Sequence, residues 1–142
     1  MSKVKTYKVA GVSHYTKNIM KLASKNEDFK LSKKDMIEEG FEGSRVYEYD
    51  FYGVKAKLEP EPDNPYDPNA VKVLVDDLHV GYIKSGSCKH ILNVINQNRI
   101  EKIDFEIGGG KYKYLGYDDE EDKYFMEKGE IPLYIHLNVV EI

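Results

Sequence analysis

The chain has 142 residues, 41% hydrophobic and 32% charged, which fits one globular domain and excludes a disordered or membrane-spanning chain. No apolar run approaches the ~18 residues of a transmembrane helix, Met1–Lys8 lacks a signal peptide's apolar stretch, and the single Cys88 excludes an intramolecular disulfide and a Cys-based zinc cluster, so a cytoplasmic location is expected. A net charge of -4 and a pI near 5.6 argue against a bulk nucleic-acid binder of the histone type.

The charge is uneven. Six lysines and no acid fall between Met1 and Asn26, leaving 15 basic and 25 acidic residues for the remainder. The simpler reading is a lysine-decorated edge strand and a solvated helix face. The sharper one is a small positive surface on an acidic body, sufficient to hold a few phosphates.

In chain order, Val4–Val12 predicts a first strand, with Gly11 marking a bend or bulge. Ile19, Met20, Leu22 and Ala23 carry helical spacing, predicting a helix over Thr16–Ala23 and a loop over Ser24–Lys30. Ser32 and Asp35 form a weak capping box, and Gly40 suits the C-terminal cap of a short second helix. Val46–Phe51 and Val54–Leu58 alternate with period two around a Tyr52-Gly53 turn, predicting a hairpin. Glu59–Asn69 holds four prolines in 11 residues and is expected to continue no strand. Ala70–Val75 and Leu78–Ile83 predict a second hairpin around Asp76-Asp77, and Ser87–Asn96 a helix with Ser87 as N-cap. Strands follow at Lys102–Ile107, Lys111–Tyr117 and Ile131–Val140, with Gly108–Gly110 as a loop and Asp118–Asp122 as an acidic turn. The expected fold is mainly β with two or three helices, a small partly open β-barrel of the OB-like or SH3-like kind. One domain over 1–142, with a longer helical connection at about 16–44, is expected.

Little in the sequence demands catalysis. His14, His79, His90 and His136 are scattered without metal spacing, and a structural or surface role is the simpler reading for each. Glu59, Glu61, Asp63 and Asp67 invite a calcium or magnesium reading, but the four prolines make the loop too stiff to wrap an ion and no Gly sits where it must turn. Ser87 and Cys88 near His90 lack an orienting third group, so no nucleophile is assigned. The expectation is no enzyme, no cofactor, no metal and no small-molecule substrate. The segment Asn64–Ala70 is dense in turn formers, either as a rigid connector whose Asp67 and Asn69 side chains satisfy local amides or as a binding loop ordered before its ligand arrives.

Leu58–Val73, containing Asn64-Pro65-Tyr66-Asp67-Pro68, followed by Val80-Gly81-Tyr82-Ile83, resembles the core of the HIRAN domain family, and Val9–Thr16 resembles its opening strand. Members occur in eukaryotic helicase-like fork-remodelling proteins and as stand-alone bacterial domains. The resemblance implies an OB-like barrel, related to DNA repair or replication, that recognises the 3′-hydroxyl end of single-stranded DNA. It makes Tyr15 a stacking residue with His14 beside it. It places Asn64, Tyr66 and Asp67 in an end pocket, Asp67 accepting from the terminal hydroxyl. Tyr82 stands at a family histidine position, Ser13 at an arginine and Ser85 at a lysine, with Lys84 adjacent. The alternative reading is a protein-interaction domain docking a partner chain on its proline loop.

Overall fold

In the computed structural model, residues 2–142 are described. They form nine strands and three α-helices: β1 (Lys3–Ala10), α1 (Thr16–Met20), β2 (Ala23–Lys25), α2 (Lys33–Glu38), β3 (Arg45–Tyr47), β4 (Tyr49–Phe51), β5 (Ala56–Pro60), β6 (Val71–Val75), β7 (Leu78–Ile83), α3 (Cys88–Asn96), β8 (Ile100–Asp118) and β9 (Lys123–Glu141). The mainly β fold class is as expected.

Local chemistry explains most boundaries. Gly11, at φ +74°, ends β1 short of the expected Val12, which enters a 3₁₀ turn over Val12–Tyr15. The helix expected through Ala23 stops at Met20, because Ala23 pairs with Phe51. The expected loop at Ser24–Lys30 instead holds the end of β2 and a 3₁₀ turn capped by Asn26, whose Oδ1 accepts from Asp28 N at 3.1 Å. Ser32 caps α2 as read, its Oγ accepting from Asp35 N at 3.2 Å.

Four expectations are corrected. Val46–Phe51 is not one strand, because the Glu48 amide bonds Lys111 O while its carbonyl accepts from Asn26 N. β3 therefore pairs with β8 and β4 with β2, and Val54–Leu58 joins β6 rather than forming the expected hairpin. Pro60 does extend a strand: it closes β5 opposite Val71, on a sheet edge where a missing amide is tolerated. Ser87 makes no side-chain cap bond to α3; its amide instead bonds Lys84 O at 2.8 Å. Gly108–Gly110 is no loop but lies inside β8, where Gly108 makes room for the Tyr134 ring: a Cβ there would sit 2.4 Å from its hydroxyl.

The chain divides into two compact units. The first comprises residues up to Leu22, Tyr52–Gly108 and Leu133–Ile142; its strands run in hydrogen-bonded order β8-β9-β1-β7-β6-β5. Its core includes Tyr7, Val9, Ile19, Val71, Val73, Val80, Ile91 and Leu137, drawn from strand positions, from α1 and from the inner face of α3. The β6–β7 hairpin turns at Asp76-Asp77, both at positive φ (49° and 65°), as a tight two-residue turn requires. The second unit comprises Ala23–Phe51 and Gly109–Pro132, with β3 hydrogen-bonded to β8, β8 to β9, and β2 to β4. Met36, Val46 and Leu115 form its core, packed by Phe29, Leu31, Ile37, Phe41, Tyr124 and Met126.

Candidate nucleic-acid interface

The informative site lies in the first unit, where β7 departs from regular strand geometry. Val73 pairs with Gly81 but Leu74 pairs with His79, so β7 carries an extra residue there. This bulge reverses the side-chain alternation. Val80 and Ile83 both point into the core, and His79 and Tyr82, three residues apart, both point outward. Gly81 makes the bulge feasible. Its φ is +155°, and a Cβ would lie 2.5 Å from Val9 Cγ1 and 2.6 Å from Ala10 O.

Tyr15 completes the cluster. Its ring centroid lies 4.1 Å from that of His79 and 6.3 Å from that of Tyr82, while His79 and Tyr82 meet edge-on at 4.9 Å. Burial holds the His79 imidazole below its ordinary pKa, so the ring is neutral at pH 7, and its Nε2 lies 3.0 Å from Gly81 O. Asn18, on α1, fixes this corner by donating to His79 O at 2.9 Å.

The cluster is joined to the proline loop through Glu61. Its Oε1 accepts from Tyr82 Oη at 3.0 Å and from Asn64 Nδ2 at 2.9 Å. The Asn64 bond, aided by Tyr82, holds the Glu61 carboxyl below its ordinary range. Burial and that carboxylate push the Tyr82 hydroxyl up to about 12. Asn64 also shapes the loop: its Oδ1 accepts from Tyr66 N at 2.9 Å and from Asp67 N at 3.0 Å. Asp67 Oδ1 accepts from Asn69 N at 2.8 Å. Among the described residues, no hydrogen bond occupies the other carboxylate oxygen of Asp67. The Asp67 side chain thus satisfies a loop amide, as the connector reading expects, and Asn64 does so in place of the expected Asn69, while Tyr66 stands 95% exposed at the loop surface.

Of the residues singled out in the sequence, Tyr15, Tyr82 and Asn64 are thus joined in one network. Tyr66 and Asp67 lie on the same loop, and Lys84 is exposed just beyond β7. His14 is exposed in the 3₁₀ turn and makes no ring contact among the described residues. His79, Glu61 and Lys72 were missed as site residues. Lys72 lies directly across from Tyr82 and lowers the Glu61 pKa electrostatically. The signal that could have found His79 is the glycine inside a strand, which marks a bulge. The first lysine of β1 does not reach this site. Lys3 pairs with Glu141 and Ala10 with Tyr82, so Lys3 lies ~23 Å along the strand.

The first unit thus presents linked aromatics on an antiparallel β-structure beside a proline loop braced by its own hydrogen bonds. No group of three or more His, Cys, Asp or Glu suited to a metal occurs among the described residues, and no helix among them is long and apolar enough to cross a membrane. The HIRAN domain model matches residues 6–107, and the chain belongs to the HIRAN domain family, a family of DNA-binding modules. The chain is similar to the crystal structure of the HIRAN domain of human HLTF (TM-score 0.42, 12% identity, 99% of this chain and 79% of that one). It is also similar to a crystal structure of a protein from Lactobacillus plantarum (TM-score 0.42, 16% identity, 100% of both chains). No curated protein matches the chain.

Proposed function

We propose that the chain is a non-catalytic module that binds single-stranded DNA and recognises its 3′-hydroxyl end. The observation carrying this reading is the Tyr82–Glu61–Asn64 bridge, which ties an aromatic surface to the loop bearing Tyr66 and Asp67. Sequence-tolerant single-strand binders stack bases on aromatic rings at ~1–3 kcal/mol per base and add a modest basic groove. Here Tyr15 and Tyr82 supply the rings, and Lys72 and Lys84 supply cations in place of those absent at Ser13 and Ser85.

Asp67 supplies end selectivity. An ionised carboxylate only accepts hydrogen bonds, so its free oxygen takes one from a terminal 3′-hydroxyl and repels a 3′-phosphate. The loop's internal hydrogen bonds hold that oxygen in place without DNA. Fluorescence anisotropy at low salt, with strands ending in 3′-hydroxyl, 3′-phosphate, 5′-hydroxyl or 5′-phosphate, tests the reading. Tighter binding of the 3′-hydroxyl strand by about tenfold or more is expected, with little effect of the 5′ end. Asp67→Asn should relieve the phosphate penalty more than it weakens the hydroxyl end. Equal affinity for both 3′ ends removes Asp67 from the site, and no binding to any strand transfers the loop to the protein-docking reading.

A further inference from the structure

The second unit carries a cationic cleft that the end-recognition reading does not use. It encloses about 570 Å³ and is lined by Phe29, Lys30, the β8 segment Lys111–Lys113 and the β9 segment Lys128–Glu130. That volume falls in the range of ligand sites. Four lysines line it against one carboxylate, Glu130, although the unit as a whole holds 9 basic and 15 acidic residues. All but one of the acidic residues of this unit lie outside the lining of the cleft.

The hairpin geometry concentrates the charge. β8 ends at Asp118 and β9 begins at Lys123, and a Cβ on Gly129 would lie 2.5 Å from the Tyr112 ring, so Tyr112 sits beside Gly129. Lys111 and Lys113 therefore flank Tyr112 on β8 as Lys128 and Glu130 flank Gly129 on β9, and like charges close across a strand pair are destabilising. Lys30 is drawn 3.4 Å from Glu27. Among the described residues, no carboxylate lies in ion-pair range of Lys111, Lys113 or Lys128. Lys113 is held in place: it is half-buried, its Nζ lies 4.9 Å from the Phe29 ring centroid, and it donates to Leu31 O at 3.5 Å. Lys111 and Lys113, two residues apart on β8, stand on the same face of the strand.

We infer that this cleft binds the phosphate backbone of single-stranded nucleic acid at internal positions, independently of the strand's ends. A row of unpaired lysines gains most from a ligand with several linked anions, because each neutralised phosphate releases condensed counterions. The half-buried Phe29 ring at its wall offers an apolar surface to a base beside them. The site is built from the second unit alone, so it stands or falls apart from the loop at Asn64–Asp67.

The test uses the full chain and a fluorescein-labelled oligothymidylate whose 3′ end is blocked by phosphate, which suppresses the end-directed contact. The variant Lys111→Gln/Lys128→Gln alters two exposed side chains and should keep the wild-type melting temperature. It is expected to bind at least tenfold more weakly at low salt. Its log–log salt slope should flatten by about 0.7 for each lost contact. Glu130→Gln should tighten binding severalfold. Wild-type affinity and slope in the double lysine variant, or no binding of the blocked strand by the native chain, would overturn the inference. Inorganic phosphate and AMP serve as small-anion probes: affinities equal to the strand's would overturn the backbone assignment and leave a small-anion site.

Discussion

Tyr82→Phe probes the joint between the aromatic cluster and the loop with a single-atom change. The lost hydroxyl donates to an ionised carboxylate at 3.0 Å, a bond type worth ~1.5–3 kcal/mol when fully desolvated. Glu61 is only half-buried and keeps its Asn64 bond, so water replaces part of the loss and ~1 kcal/mol remains. For a chain of this size that lowers the melting temperature by about 4 °C. The ring stays, so end-independent stacking should be untouched, while preference for the 3′-hydroxyl over the 3′-phosphate should fall as the loop loosens. The Glu61 carboxyl, losing one of its two hydrogen bonds, should titrate higher, which a side-chain carbon NMR titration reads directly. Pairing the change with Asn64→Ala in a double-mutant cycle should give a coupling of ~0.5–1.5 kcal/mol. Additive effects within ~0.3 kcal/mol, with unchanged end preference, would refute a mechanical link between ring cluster and loop.

Stability should fall on acidification in two stages. The His79 pKa is depressed by burial below its ordinary 6.5, so the unfolded chain takes up the proton first and stability declines as pH drops below 6.5; His79→Phe should flatten that stage in melting curves run across pH. Glu61 is depressed by its Asn64 bond below its ordinary 4.5, so its stabilisation is complete above 4.5 and is lost as pH falls through the folded value; Glu61→Gln should remove this lower limb. Tyr7 buries a hydroxyl with no hydrogen-bond partner among the described residues, and burial next to Glu141 pushes its pKa up to about 12. Tyr7→Phe should therefore raise stability by ~1 kcal/mol in urea unfolding and delete one of the latest-ionising tyrosines from an ultraviolet titration. Gly81→Ala should destabilise by ~3 kcal/mol or more, because its Cβ meets backbone as well as Val9; a folded variant with normal melting and intact DNA binding would show that the bulge does not hold the site.

Much of the fold was legible because it is written locally. The Asp76-Asp77 hairpin, the Ser32 cap, the inner face of α3 and the rigid proline loop each follow from residues within one turn or one alternation of each other. The partners of strands were not legible. Val46–Phe51 reads as one amphipathic strand, yet Glu48 bonds Asn26 on one side and Lys111 on the other, residues 22 and 63 positions away in sequence. Glycines at 108–110 read as a break until Tyr134, from another strand, is found occupying the space Gly108 leaves.

The candidate site divides the same way. Sequence alone determined the stiff Asn64–Asp67 turn, because prolines and Asx side chains act on their immediate neighbours, and it marked Tyr15 and Tyr82 by family resemblance. Only the tertiary structure brought His79 to them, since a strand without a bulge would send residues 79 and 82 to opposite faces. It also decided that Glu61 joins the rings to the loop. Likewise, Lys30, Lys111, Lys113 and Lys128, from separate stretches of the chain, line one cleft because β8 and β9 are neighbours in the sheet. Local sequence specifies backbone preference, whereas which side chains share a surface depends on pairing and bulges fixed by contacts distant in the chain.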